Sequence, residues 1–271
     1  MRNQVVYGIN RRKLGIYVGI GGYDESFEER LLLIKESGFD VVCLNFEKDM
    51  ERTETPWPNQ IALCRKHGLP IQAAHLSGSG MTKIWEDGND AEQLTERTMR
   101  EITEMKALGV DVGVIHVTWG HGIPAAPSAS ALRRFGRIAA AAEKCGAVVA
   151  LENSVFPGHL RYVLDNIASP HLGFCYDSGH ENAFTPSENF LESYGDRLVA
   201  MHLHGNDGSH DNHFPPFCNG DTIDWKAKVG QLKKTALFRE FIILESGFQK
   251  GLSLRDFLKT SFDAAVKLSD M

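Results

Sequence analysis

The chain has 271 residues, 42% of them apolar, with ten prolines and a formal net charge of −6. That length suits two average domains or one barrel, and no linker divides it, so residues 1–271 are read as a single domain. The acidic balance argues against nucleic acid as a partner, because phosphate binding calls for clustered Lys and Arg.

No apolar run approaches the length of a membrane span. The start, MRNQVVYGINRRKLGIYVGI, lacks the uninterrupted apolar segment and cleavage site of a signal peptide, so a soluble cytoplasmic protein with no membrane partner is expected. Cys43, Cys64, Cys145, Cys175 and Cys218 stand singly, with no C-x-x-C, and read as reduced residues.

In chain order, Leu14–Ile20 reads as a strand, followed by a helix across DESFEERLLLIKESG, where Phe27, Leu31 and Ile34 recur at helical spacing and Gly38 supplies a stop. Phe39–Phe46 is a second strand with Asn59–His67 as its helix. Leu69–His75 and Ala91–Leu108 form the third pair, and Val110–Val117 and Ser128–Cys145 the fourth. Ala147–Glu152 is a continuous apolar run, as a strand buried on both faces requires, with Gly158–Ile167 as its helix. Leu172–Asp177 precedes a helix near Ser187–Tyr194, Leu198–His202 precedes Trp225–Lys234, and Phe241–Glu245 precedes Leu254–Leu268. Eight strand-then-helix units predict an α/β fold, a single (β/α)8 TIM barrel, over a doubly wound sheet, which more often stops at five or six strands.

Polar residues mark the strand ends. His75 closes strand three, His116 strand four, Glu152 strand five, Asp177 strand six, His202 strand seven and Glu245 strand eight. In a parallel barrel these ends share one face, the one that carries active sites. Past strand seven, HLHGNDGSHDNH gathers four histidines and two aspartates in twelve residues, a density that a metal ion satisfies more easily than the side chains satisfy one another.

Asp177 and His180, in YDSGH, offer two ligands from one strand end and its turn; the plainer reading of Asp177 is a helix N-cap. Asp211 and His213 form a D-x-H pair that suits a further ion with His180. His202 and His204 share one side of an extended chain, and His202, directly after the apolar run, is preferred as ligand. His121, His159 and His210 read as exposed or substrate-facing, and His67 and His171 belong to the opposite end of the barrel. Trp119 and Phe156 suit an apolar wall for a ligand, or ordinary loop packing.

On ALEN at Glu152, CYDSGH at Asp177 and His180, MHLHGND at His202, DNH at Asp211 and His213, and LESG at Glu245, the chain from Leu14 to about Leu268 resembles the xylose isomerase-like TIM barrels. These include sugar-phosphate isomerases and epimerases, inosose dehydratases, ketose 3-epimerases and the apurinic endonuclease of the same fold. In the isomerase and epimerase branches, the resemblance implies one divalent ion held by Glu152, Asp177, His202 and Glu245, with the two glutamates as acid and base. In the endonuclease branch it implies three zinc ions. One is held by His75, His116 and Glu152, one by Glu152, Asp177, His202 and Glu245, and one by His180, Asp211 and His213. Two departures stand out. The arginine that ketose 3-epimerases carry after strand seven is absent from this loop, and Gly205 stands where many relatives have aspartate.

The expectation is a divalent-metal-dependent isomerase or epimerase of a sugar or sugar phosphate, with the ion (Zn, Mn, Co or Fe) stabilising an enediolate. Glu152 and Glu245 are its base and acid, and His180 touches a substrate oxygen. The alternative is a hydrolase of phosphodiester or other ester bonds with two or three ions, and a third reading is a barrel whose ion is structural. A homo-oligomer is compatible with all three.

Overall fold

The computed structural model describes residues 11–46, 55–120 and 122–271. The expectation for His121 lies outside them. In order, the elements are β1 (Lys13–Tyr17), α1 (Phe27–Ser37), β2 (Val41–Asn45), α2 (Trp57–Lys66), β3 (Ile71–His75), a 3-10 turn (Met81–Trp85), α3 (Asn89–Ala107), β4 (Val112–His116) and α4 (Ala129–Cys145). They continue with β5 (Val148–Glu152), α5 (Pro157–Asn166), β6 (Leu172–Asp177), α6 (Ser178–Phe184), α7 (Phe190–Tyr194), β7 (Leu198–His202), α8 (Trp225–Leu232), α9 (Ala236–Glu240), β8 (Phe241–Leu244) and α10 (Leu254–Asp270).

All strand pairs are parallel, in the order β7-β6-β5-β4-β3-β2-β1-β8. The seam between β7 and β8 closes just beyond the strands, where Leu203 N donates to Ile243 O at 3.0 Å and Glu245 N to Leu203 O at 3.1 Å. This is the TIM barrel that the eightfold pattern predicts.

The helices form where caps and apolar stripes coincide. Ser26 and Glu29 make a reciprocal capping box at the start of α1, and Gly38, at φ 102°, ends it in the left-handed region. On α4, Ala131, Phe135, Ile138, Ala139 and Ala142 repeat at helical spacing and are buried against the barrel. Truncating Phe135, fully buried there, to alanine would cost about 3–5 kcal/mol.

Most boundaries shift by one or two residues from the sequence reading, α9 is additional to it, and three further differences have a local structural cause. The first strand leaves the sheet at Tyr17 instead of running to Ile20, because Ile20 N turns back onto Val18 O at 2.7 Å. Helix α7 begins at Phe190, capped by Asn189, instead of near Ser187. Helix α6, for which the sequence offers only the N-cap reading of Asp177, starts directly at the end of β6 because Asp177 Oδ1 accepts from His180 N at 2.6 Å. Among the described residues, no helix is long and apolar enough to cross a membrane.

Candidate functional site

Strand register brings the site together. Pairing of β4 with β5 sets His116 beside Glu152, and pairing of β6 with β7 sets Asp177 beside His202. Glu245 follows β8 by one residue. All six strand-end residues therefore lie on one rim, and Glu152, Asp177 and His202 are at most 1% exposed.

Glu152 is the hub. Its Oε2 is 3.2 Å from both His75 Nε2 and His116 Nε2, and its Oε1 is 3.1 Å from His202 Nδ1 and 3.2 Å from His180 Nδ1. Glu245 Oε2 approaches the same His202 Nδ1 at 3.1 Å, and Asp177 Oδ2 is 3.7 Å from it. Asp211 stands between His180 Nε2, at 3.4 Å, and His213 Nε2, at 3.2 Å.

Most of these rings are oriented from behind by backbone. Nδ1 of His75 donates to Leu76 O at 2.9 Å, Nδ1 of His180 to Asn153 O at 2.9 Å, and Nδ1 of His213 to Glu245 O at 2.7 Å. A carbonyl can only accept, so in the neutral form of each ring the lone pair is on Nε2, which faces a carboxylate: Glu152 for His75, and Asp211 for His180 and His213. The ring of His202 is reversed: Nδ1 faces the carboxylates, and Nε2 lies 2.8 Å from the Tyr17 hydroxyl. His116 Nδ1 is buried with no hydrogen-bond partner among the described residues.

His204, which the sequence reading set second to His202, is fully buried beside the same carboxylates. Its Nε2 is 3.2 Å from Asp177 Oδ1, and its ring stacks on His213 with centroids 3.9 Å apart. Ser178 Oγ holds it by accepting from His204 N at 3.0 Å and donating to His204 O at 2.9 Å. His213 carries a φ of 50°, unusual for a residue with a side chain and of the kind that functional sites retain. The aspartate missing at Gly205 also has a structural reason. A Cβ there would fall 2.4 Å from the Asp221 carboxyl carbon, and Asp221 spends that space accepting from Phe217 N, Ile223 N and Trp225 Nε1.

Electrostatics test whether a cation fits. Each inward-facing Nε2 lone pair of His75 and His213 meets a carboxylate, which also only accepts, so something positive must stand between them: an added proton or a metal ion. The protonation directions agree. Burial opposes ionisation of Glu152, yet the imidazoles of His116, His202 and His180 hold its carboxyl well below the usual range. Burial would likewise lower His213, but its Asp211 hydrogen bond and the charges of Glu245, Asp211 and Asp177 raise it to about 9. Glu245 is held at about 2, burial being outweighed chiefly by His202.

Donor atoms of Glu152, Asp177, His202 and Glu245 lie within 4.8 Å of one another, as do those of His75, His116 and Glu152, and those of His204, His213 and Glu245. A mixed imidazole and carboxylate set of this kind suits borderline divalent ions. His180, Asp211 and His213, the trio expected from the three-zinc pattern, meet through Asp211.

Beside the cluster opens a cavity of about 290 Å³ between His116, His180 and Asp211, walled by Trp119, Val155 and Phe184 and by the hydroxyls of Thr118 and Ser154. Trp119 lies in this wall; Phe156 packs on His159 instead. His159 is half-buried against Trp85, with Nε2 donating to Ala125 O at 2.9 Å, whereas His210 is exposed. Tyr17, Asn153 and Phe184 are site residues that strand-end reasoning did not single out.

Residues 31–259 match a family model described as xylose isomerase-like TIM barrel. A 61-residue stretch is 44% identical to the uncharacterized protein y4fM of Sinorhizobium fredii (strain NBRC 101917 / NGR234), covering 22% of this chain and 19% of that protein. Many solved structures share the fold. One is a xylose isomerase-like TIM barrel/4-hydroxyphenylpyruvate dioxygenase fusion protein (TM-score 0.75, 16% identity), whose match covers 95% of this chain and 43% of the fusion, so the chain spans less than half of it. Another is the 3-keto-D-glucoside 4-epimerase YcjR from E. coli (TM-score 0.69, 18% identity, 96% of this chain and 100% of that one). A third is IolI protein with a bound zinc atom (TM-score 0.76, 15% identity, 95% and 98%).

Proposed function

From the membership of this chain in the xylose isomerase-like TIM barrel family, we propose that it is a divalent-ion-dependent isomerase or epimerase of a sugar or sugar phosphate. The observation that carries this reading is a pair of carboxylates, that of buried Glu152 (Oε1) and that of half-buried Glu245 (Oε2), each 3.1 Å from His202 Nδ1. Two carboxylates converging on one place can serve as the base and the acid that remove and return a proton at a carbon bound there.

Glu152, Asp177, His202 and Glu245 would hold the ion. When bound, it supplies positive charge that polarises a substrate carbonyl and steadies the negative charge developing on its oxygen. One glutamate then takes the proton from the carbon beside that carbonyl and the other returns one. Held ionised at about 2, Glu245 is ready as a base near neutral pH. His180, fixed through Nδ1, presents Nε2 at the cavity for a substrate oxygen, and Trp119 and Phe184 supply the apolar wall that keeps water from the reacting carbon. The epimerase activity of YcjR and the zinc of IolI support the same assignment.

The second reading, hydrolysis of a phosphodiester or other ester with two or three ions, has its own support in His75 and His116 on the far oxygen of Glu152 and in Asp211 between His180 and His213. A panel of neutral and phosphorylated ketoses, assayed with Zn, Mn, Co and Fe beside a model phosphodiester, separates the two. Interconversion of a sugar is the expected result, and phosphodiester cleavage with every sugar inert would replace the first reading by the second.

A further inference from the structure

We propose that Asn153 is a positioning residue whose side chain holds Asp177 against Glu152, so that both carboxylates reach the same ion. The inference rests on the metal site described under the proposed function. Strands β5 and β6 pair in register as far as Glu152 and Cys175, and the next bond, from Asn153 N to Cys175 O, is already stretched to 3.4 Å. Past that point the two backbones part. Asp177, two residues beyond Cys175, still turns its N–H and C=O toward β5, as the period of a strand dictates. Both groups are buried and need partners that the β5 backbone no longer supplies.

Asn153 supplies them from its side chain. Asp177 N donates to Asn153 Oδ1 at 2.8 Å and Asn153 Nδ2 donates to Asp177 O at 2.8 Å, so the amide stands in for one more peptide of the β5 ladder. An amide presents a donor and an acceptor side by side, which neither an ionised aspartate nor a leucine of the same shape does. Asn153 is anchored in turn, because its backbone oxygen accepts from His180 Nδ1 at 2.9 Å, and it is 0% exposed, so bulk water does not compete for these bonds. On its other flank Asp177 is in register with His202. Held from both sides, it has its Oδ1 taken by the cap of α6 and its Oδ2 set 3.7 Å from His202 Nδ1, the atom that Glu152 Oε1 approaches at 3.1 Å. Glu152 directly precedes Asn153 in the chain, so the clamp fixes the spacing of the two carboxylates.

The test uses cobalt(II) as the probe, with affinity read from its visible absorption in competition with a chelator. Asn153→Leu keeps the shape and removes both hydrogen bonds, so affinity should fall about 10- to 100-fold, the usual range for loss of a group that supports a metal ligand. The absorption bands of the cobalt that still binds should shift as Asp177 leaves its place. In an Asp177→Asn background the same change should have almost no further effect on affinity, which a general packing defect would not reproduce. Residue-resolved amide hydrogen exchange of the wild-type protein gives a second readout that does not depend on the variants folding, and the Asp177 N–H should be as protected as the amides inside β6. Unchanged cobalt affinity and spectrum in Asn153→Leu, an equal loss in the Asp177→Asn background, or an Asp177 amide that exchanges like those of exposed loops overturns the inference while leaving the metal site intact. A wild-type protein that binds neither cobalt nor zinc overturns the metal site itself, and the inference with it.

Discussion

His204 lies over Gly179 so closely that a Cβ on residue 179 would fall 1.9 Å from His204 Cε1 and 2.5 Å from both ring nitrogens. Only glycine leaves room for this buried imidazole against Asp177. Gly179→Ala should therefore push His204 off Asp177 and unstack it from His213, costing about 1–3 kcal/mol as an overpacked core does. Chemical denaturation measures the loss, and stability equal to wild type would mean that His204 is not held as described.

Gly205 yields a second prediction, because the family resemblance would place an aspartate there. Installing that aspartate, Gly205→Asp, would set a second carboxylate into the space of Asp221, whose three accepted hydrogen bonds organise the loop before α8. Destabilisation on the order of 1–3 kcal/mol is expected. Adding Asp221→Ala should recover part of it, and additive losses in the double variant would argue that the two positions do not compete.

The strand ends were legible because a parallel barrel turns sequence order into geometry: one polar residue closing each apolar run is enough to bring His75, His116, Glu152, Asp177, His202 and Glu245 to one rim. Tyr17 was not legible, since a tyrosine in an apolar strand reads as core until its hydroxyl is seen to meet His202. His204 and His213 are nine residues apart, and their stacking depends on the path of an irregular loop, which carries no periodic signal. Asp177 was read as either a ligand or a cap; its two oxygens do different things, Oδ1 capping α6 and Oδ2 facing His202 Nδ1.

Stability should respond to pH in opposite senses with and without the ion. In the metal-free protein His213 is raised to about 9, so the stabilisation it gives is complete below about pH 6.5 and is lost as pH rises through about 9. His75, His180 and His202 are raised as well and add to the same trend. An ion displaces those protons and binds better as they leave. The melting temperature of chelated protein should fall between pH 6.5 and 9 while its gap to the zinc-loaded form widens, and a flat chelated profile would contradict the protonation scheme.

Chelation at fixed pH should itself lower the melting temperature, because a ligand that binds only the folded state contributes about 2.7 kcal/mol at one hundred times its dissociation constant. Elemental analysis must confirm removal. An unchanged melting temperature after confirmed removal would count against a preformed site.

Asp211 and His213 separate one ion from several. On the single-ion reading they shape the loop and touch substrate, so Asp211→Asn combined with His213→Ala should leave metal content per chain unchanged and mainly raise KM. Loss of about one ion together with a collapse of kcat would favour the hydrolase.

The central claim is that Glu152 and Glu245 move a proton at carbon. With a ketose substrate from the panel in deuterium oxide, mass spectrometry of the recovered sugar reads that step directly. Wild-type protein should introduce solvent deuterium at the reacting carbon, and Glu152→Gln and Glu245→Gln, still folded, should each abolish it. Turnover without deuterium incorporation, or incorporation that survives both substitutions, would contradict the account.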